Sequence, residues 1–301
     1  MLNLKKVLVV LSPEQEQQPA LDKVVALAKL ADFEITLISV EYTQYLVEGY
    51  YFDAIDLPRL RSELLEERKV TLDTLAQPLR DNGLSVETVT RWGHPAYETV
   101  IREAMARDCD LVIQHTRQHS AVSRLFLSHN DWQLVRCCPV PLLLVKEAAW
   151  QASPVILAAV DPKHARHKPR GLDHTILGIG TDLATLTGGA LYAVHSYSQL
   201  PVPEARQAAV KAEHQAAFDT LVADFDLPAD HCILTEEAPD FALDQIQQQL
   251  KADIVVMGAI SRSILSEVFI GSTTEKVLDF LECDVMIVKP EGFTSPVTLP
   301  S

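Results

Sequence analysis

Short apolar runs alternate with segments of helical periodicity along the whole chain. The segment Val7–Ser12 (VLVVLS) is apolar almost throughout and rich in β-branched residues, which is typical of a strand buried on both faces. The next segment, Pro19–Leu30, places its apolar residues at helical spacing, and Glu34–Val40 then predicts a second strand. The same order continues to Lys146. This alternation predicts an α/β fold in which a parallel sheet carries helices on both faces.

The pattern then occurs a second time. Ile101–Lys146 and Ile246–Lys289 both read as helix, apolar strand, loop, helix and apolar strand. Ile113 corresponds to Val256, and the two terminal lysines correspond at the same offset of 143 residues. Units of solenoid proteins are roughly 20–50 residues long. A longer repeat of this kind therefore predicts a duplicated domain.

The length of 301 residues agrees with two domains of about 150 residues each. We predict a first domain at 1–148, a second at 153–290 and a frayed tail at 291–301. Each domain is expected to be doubly wound around a five-stranded parallel sheet. The composition, 48% hydrophobic and 22% charged, is ordinary for a globular protein.

The charge of the chain bears on which partners it can bind, and its cysteine content bears on the cellular compartment. The formal net charge of −15 disfavours nucleic acid and anionic membrane surfaces, and the longest basic stretch, Lys163–Arg170, is short. No segment has the roughly 20 consecutive apolar residues of a membrane span. The five cysteines are odd in number and form no CxxC motif. We therefore expect buried thiols in a reducing compartment, the cytoplasm.

The second copy carries a pattern that could cradle a phosphate. Gly258 follows an apolar strand at its carboxyl end, where ligands of open α/β sheets bind. Gly271, Ser272 and Thr273 then open a helix, whose free N–H groups and dipole favour an anion. Arg262 lies in the intervening loop and could pair with a phosphate. A tight turn followed by a helix cap is the alternative interpretation of the same residues.

The first copy lacks that pattern. It has His115, Gln118 and the pair Ser128-His129 at the corresponding positions. His115 and His119 have a spacing that could bind a metal on a helix, with His129 further along the chain. Asp131 is the one nearby carboxylate that could complete a ligand set, and we predict no metal site. The chain also lacks the G-x-S-x-G elbow of acyl transferases and the P-loop signature. The first copy is expected to hold a degenerate nucleotide site.

These features resemble the universal stress protein family over essentially the whole chain, in its tandem form. ATP-binding members of that family carry Gly, two residues, Gly, nine residues, then Gly-Ser or Gly-Thr. Gly258 and Gly271-Ser272 match this motif, whereas Ser261 stands where the family has its second glycine. Asp161 matches an aspartate that the family places at the end of its first strand. The degenerate first half resembles the two-domain bacterial branch of the family.

The resemblance implies a sheet order of 3-2-1-4-5 in each domain and ATP, ADP or AMP in the second domain. The candidate nucleotide-binding residues that follow from the motif and its neighbouring strand ends are Val160, Asp161, Met257, Gly258, Ser261, Arg262, Gly271, Ser272 and Thr273.

The resemblance also implies that fifth strands join domains in pairs. Leu142–Val145 and Val285–Val288 would play this part within one chain, and a further homodimer stays an open alternative. Protein partners cannot be derived from the sequence.

The leading hypothesis is a cytoplasmic stress-response protein that binds an adenine nucleotide as a regulatory ligand. No residue is an obvious base for activating water, so the chain is expected to hydrolyse ATP slowly at most. The alternative is a nucleotide-free protein that acts through partner docking or an apolar ligand. Ser261 and the degenerate first copy favour this alternative.

Overall fold

The chain forms two compact units. The computed structural model describes residues 4–48, 56–116, 128–163, 171–198, 203–259, 277–278 and 281–299. Of these, 4–116, 128–147 and 295–299 belong to the first unit, and the described residues from 148 to 294 belong to the second. Each unit therefore contains one copy of the sequence repeat, and the first unit also includes the end of the chain.

Strands and helices alternate in the first unit. Its described strands are β1 (Lys6–Val10), β2 (Glu34–Glu41), β3 (Val86–Trp92), β4 (Leu111–His115) and β5 (Leu142–Val145). Its described helices are α1 (Pro19–Ala28), α2 (Tyr45–Glu48), α3 (Leu57–Asp81), α4 (Ala96–Ala106) and α5 (His129–Cys137). The strands pair in parallel in the order β3-β2-β1-β4-β5.

The second unit repeats this arrangement. Its described strands are β6 (Val155–Val160), β7 (Ala190–Ser196), β8 (Cys232–Thr235), β9 (Ile254–Gly258) and β10 (Asp284–Val288). Its described helices are α6 (Leu172–Thr187), α7 (Glu204–Val222) and α8 (Pro239–Leu250). The strands are again parallel, in the order β10-β9-β6-β7-β8. The first strand of each copy is therefore the central one of its unit.

The predicted α/β class and parallel strands are confirmed. Within each unit the described strands lie side by side in the order third, second, first, fourth and fifth. The fifth strands, β5 and β10, are buried at every residue.

Burial along the central strands explains their continuous apolar sequences. Leu8 and Val9 in β1 are fully buried, as are Ile156 and Leu157 in β6. Neighbouring residues of a strand point to opposite faces, so both faces of each strand are covered. The apolar runs in the sequence are thus the centre of each unit.

Two prolines mark equivalent helix starts, as the sequence predicts. Helix α8 begins at Pro239, whereas Pro95 is the N-cap residue of α4, which begins at Ala96. Proline is well tolerated there because the first N–H groups of a helix have no intrahelical partner. The predicted helix Ser272–Leu281 lies mostly outside the described residues.

The end of the chain, which the sequence predicts to be frayed, makes specific contacts within the first unit. Ser295 Oγ donates to the carbonyl of Cys137 at 2.7 Å, and Arg102 Nε donates to the carbonyl of Thr298 at 3.1 Å. Val297 is buried. Two hydrogen bonds and one buried apolar side chain thus attach residues 295–298 to the first unit.

The five cysteines are thiols and not disulfides, and four of the five are buried. Burial raises the pKa of the Cys109 thiol to about 11, which disfavours the reactive thiolate. Among the residues described, none of the helices combines the length and the apolar character that crossing a bilayer requires.

Candidate functional site

The described part of the candidate site lies where three strands of the second unit end. In the strand register Ala159 pairs with Met257, and Val160 pairs with His195. The carboxyl ends of β6, β7 and β9 therefore lie side by side. Val160 and Met257 are themselves buried. The positions that follow them, Asp161 and Gly258, are partly exposed at this edge of the sheet.

Asp161 is held at the start of a helix. Its backbone N–H donates to Asp173 Oδ1 at 2.9 Å, and Asp173 lies in the first turn of α6. An acidic residue is favourable in a first helical turn because of the helix dipole. This bond fixes the backbone that follows β6 against the helix, so the position of Asp161 is set by local structure.

Gly258 has a packing reason to be glycine. A Cβ at this position would lie 2.7 Å from Leu172 Cδ2, and Leu172 is almost fully buried at the start of α6. Contacts below 3 Å between carbon atoms require one group to move. The missing side chain thus lets α6 approach β9 closely. The sequence interpretation, an approach of backbone to a ligand, did not foresee this packing.

Five of the nine predicted nucleotide-binding residues lie outside the part of the chain that the structure describes. Ser261, Arg262, Gly271, Ser272 and Thr273 lie outside the described residues. Four of the nine predicted residues, Val160, Asp161, Met257 and Gly258, are thus brought together at one edge. The loop and helix start that would surround the phosphates stay a prediction.

A buried histidine at this edge was missed by the sequence analysis. His195, near the end of β7, is fully buried. Its Nδ1 lies 3.2 Å from the carbonyl oxygen of Val160, and its Nε2 lies 2.8 Å from His214 Nδ1. A carbonyl can only accept, so Nδ1 of His195 carries a proton. Neutral His195 then accepts at Nε2 from His214.

Aromatic rings surround this histidine pair. The His214 ring stacks on Tyr197 with centroids 4.2 Å apart, and Phe218 lies 5.8 Å from His195. Burial lowers the pKa of His195, against the opposing effects of Asp161 and the Val160 carbonyl. Neutral His195 therefore joins β7 to α7 through its hydrogen bond with His214. A polar residue near the end of an apolar strand was the available signal in the sequence.

At the corresponding edge of the first unit, described side chains contact one another across the strand ends. Gln114, near the end of β4, donates through Nε2 to Asp131 Oδ1 in the first turn of α5. His115 Nδ1 lies 3.4 Å from Gln15 Oε1. Gln118 and His119 lie outside the described residues. Within the described ranges, no group of three or more side chains has the composition of a metal site.

A cavity of about 510 Å³ lies elsewhere in the second unit. Its lining includes Trp150, Gln247 and Asp284, and Trp150 Nε1 donates to Asp284 Oδ2 at 2.7 Å. Asp284 is the first residue of β10, so the cavity lies at the amino ends of the strands. It is therefore separate from the candidate site at the carboxyl ends.

Comparison with known proteins agrees with the duplicated architecture. The profile of the universal stress protein family matches the chain twice, at residues 3–146 and 154–289. A protein of Photorhabdus laumondii named universal stress protein E is 26% identical over 309 residues, which cover 99% of this chain and 98% of the relative. Universal stress protein E of Escherichia coli K12 is 24% identical and covers 98% and 97% of the two chains.

A solved structure shares the fold across both copies. The crystal structure of a putative universal stress protein from Pseudomonas aeruginosa UCBPP-PA14 is 28% identical to this chain, with a TM-score of 0.77. The match covers 96% of this chain and 94% of that one. A second Pseudomonas aeruginosa protein, described as functionally unknown, matches with the same TM-score and 27% identity. The similarity therefore extends over both copies.

Proposed function

Because the chain belongs to the universal stress protein family, a family of stress-response proteins, we propose that its second unit binds an adenine nucleotide as a regulatory ligand. The observation that carries this proposal is the register of β6 and β9. It supports the proposal because Asp161 and Gly258 lie at the same edge of the sheet, and Gly258 is the first residue of the glycine motif. In open α/β sheets this edge is the usual place of ligands.

In this proposal each residue has a definite part. The Asp161 carboxylate accepts hydrogen bonds from the ribose or the adenine. The backbone at Gly258 and Ser261 surrounds the phosphates, with Arg262 as a countercharge. Gly271, Ser272 and Thr273 cap the phosphates from the start of the following helix, where N–H groups and the helix dipole favour an anion. Val160 and Met257 supply apolar surface at the two strand ends.

Nucleotide binding in this proposal is a signal and not a source of energy. Bound ligand stabilises the folded second unit by mass action, in proportion to its concentration relative to Kd. Hydrolysis is at most slow, because the proposal includes no general base for water. Which of ATP, ADP and AMP is preferred is part of the test.

The wider assembly is also a proposal. We infer that the fifth strands, β5 and β10, pair within the chain, which their complete burial supports. In this proposal the two paired domains span residues 1–148 and 153–290. A cytoplasmic location is supported by the five cysteines, which are thiols and not disulfides.

A second candidate function is favoured by the packing of Gly258. If that glycine serves only the close approach of Leu172, the glycine pattern in the second copy is structural. Ser261, which places a Cβ where the family has glycine, points the same way. The chain would then act without nucleotide, by docking a partner or an apolar ligand.

Titration calorimetry with ATP, ADP and AMP separates the two candidates. The test variant is Gly271→Val, whose branched side chain would occupy the space of the phosphates. The matched control is Gly178→Val in α6, where an added Cβ meets nothing within 4 Å. The proposal predicts that Gly271→Val abolishes the heat of binding and that Gly178→Val preserves it. No heat with the unmodified protein would support the nucleotide-free candidate, and equal affinity in both variants would show that nucleotide binds away from the glycine motif.

A further inference from the structure

A buried carboxylate lies at the start of α5 in the first unit. Ser128 is the N-cap residue, and its Oγ accepts from the N–H of Asp131 at 3.2 Å. Asp131 Oδ2 accepts in return from the N–H of Ser128 at 2.8 Å. Asp131 is only 6% exposed. The positive end of this helix is therefore next to a negative charge that the chain itself supplies.

The same carboxylate is bonded to the neighbouring strand. Gln114 on β4 donates through Nε2 to the second oxygen, Asp131 Oδ1. The amide and the carboxylate together bridge the gap between the end of β4 and the start of α5. In a phosphate-binding α/β domain this gap receives the anion.

A second bridge lies beside the first. His115, the last residue of β4, is next to Gln15 in the loop after β1. That loop is itself braced, because Gln18 Nε2 donates to the carbonyls of Ser12 and Gln15, both at 2.9 Å. Three segments around the expected ligand position are thus linked by side chains of the first unit.

The second copy has no carboxylate at the corresponding positions. At the offset of 143 residues, Gln114 corresponds to Met257 and Asp131 corresponds to Thr274. Ser128 corresponds to Gly271 in the same way. The positions that could hold a phosphate in the second copy are therefore occupied in the first copy by the residues that form the polar bridge.

We propose that Asp131 is an internal anion that takes the place of a ligand phosphate in the first unit and so restricts anion binding to the second. A bound phosphate would have to displace the carboxylate from Ser128 and Gln114, and its charge would be repelled at short distance in a poorly solvated site. The contrast with the second unit rests on the function proposed above, whereas the role of Asp131 in the first unit does not.

The test substitutes the residue of the second copy into the first, as Asp131→Thr in the full chain. Hydrogen–deuterium exchange is measured at 128–137 with and without inorganic phosphate, and with formate as a small carboxylate. The control is Asp240→Ala, an acidic residue in the first turn of α8. Exchange at 254–259 in the same samples reports on the second unit separately, so failure of the proposed function is recognised independently.

We expect Asp131→Thr to accelerate exchange in the first turn of α5 several-fold, and phosphate or formate to reverse part of that change. In the unmodified protein and in the control, neither anion should alter exchange at 128–137. Unchanged exchange in Asp131→Thr, no response of that variant to either anion, or an equal anion response in the unmodified protein would overturn the proposal.

A second variant covers the case in which Asp131→Thr does not fold. Asp131→Asn keeps the shape and one acceptor oxygen but removes the charge. We expect it to give a smaller acceleration of exchange at 128–137. If this variant exchanges as slowly as the unmodified protein, the charge has no role and the proposal is wrong.

Discussion

The two units have the same strand order but treat the carboxyl ends of their strands differently. In the first unit, Gln114 and Asp131 bridge the gap between β4 and α5. In the second, the residue at the end of β9 is Gly258, and its missing side chain admits Leu172. The residues that form this bridge in the first unit correspond to Met257 and Thr274 in the second copy, neither of which carries a carboxylate. Function resides in the site and not in the fold.

Other contacts occur at equivalent positions in both units, and they belong to the common scaffold and not to the candidate site. Lys146 Nζ donates to Thr116 Oγ1 at 3.2 Å, and Lys289 Nζ donates to the Ala259 carbonyl at 3.0 Å. The N–H groups of Thr116 and Ala259 donate to the last residues of β5 and β10, each at 3.1 Å. Both lysines are buried. The connection from fourth to fifth strand is therefore common to both units, while the residues beside it differ.

The largest expected effect is on the histidine pair, which belongs to the second unit alone. His195→Ala would remove the hydrogen bonds to the Val160 carbonyl and to His214 Nδ1 and would open a cavity. We expect it to lower the free energy of unfolding by about 3 kcal/mol. Urea denaturation measures this, with Ser39→Ala in β2 of the first unit as the buried polar control. A loss no larger than the control's would show that the pair is not structurally distinctive.

The next largest effect concerns the glycine at the candidate site. Gly258→Ala forces Leu172 to move, and we expect a loss of about 1–3 kcal/mol, typical of overpacking. Gly178→Ala in α6 is the matched control, because a Cβ there meets nothing within 4 Å; it should stabilise by roughly 0.5–1 kcal/mol. Combining Gly258→Ala with Leu172→Ala should show strong coupling in a double-mutant cycle. Additive effects would contradict the packing explanation.

Removal of the chain end should affect the first unit only. Truncation after Thr294 removes the hydrogen bonds to Cys137 and Arg102 and the burial of Val297. We expect a loss of about 1–2 kcal/mol, from two hydrogen bonds and one partly compensated apolar side chain. Limited proteolysis should give faster cleavage within the first unit. Faster cleavage confined to the second unit would contradict the assignment of the tail.

The smallest effect is a pH dependence of the second unit. The pKa of His195 is lowered in the folded protein, so the unfolded state binds more protons near its ordinary value of 6.5. The contribution of neutral His195 to the free energy of unfolding is therefore fully present above its ordinary pKa of 6.5. This contribution is lost as the pH falls to and below the lower pKa of the folded state. Unfolding curves between pH 7.5 and 5, each compared with His195→Asn, measure the difference. The free energy of unfolding should depend less on pH in His195→Asn than in the unmodified protein. An identical slope against pH in the two proteins would contradict this explanation.

The fold could be predicted better than the site because strands and helix starts have local sequence patterns, whereas the site depends on contacts between residues that are far apart in the chain. Strands such as β1 and β10 are recognisable as continuous apolar runs, and Pro239 marks a helix start locally. The contact between His195 and His214 spans 19 residues and two elements, so no local pattern reveals it. The capping box of Ser128 and Asp131, by contrast, has a sequence signature that could have been recognised.

Gly258 illustrates the remaining difficulty. Its position after an apolar strand was predictable, and so was its place at the ligand edge. The reason for glycine there depends on Leu172, which is far away in the sequence and close only after α6 packs on β9. A motif thus identifies a position without identifying which neighbour requires it.

Native mass spectrometry of the intact chain with excess ATP is the most direct test of the central claim, that only the second unit binds nucleotide. The account predicts one bound nucleotide per chain, lost in Gly271→Val and retained in Gly178→Val. Two bound nucleotides would show that Asp131 does not close the first unit. No bound nucleotide would show that the second unit is also inactive as a nucleotide site.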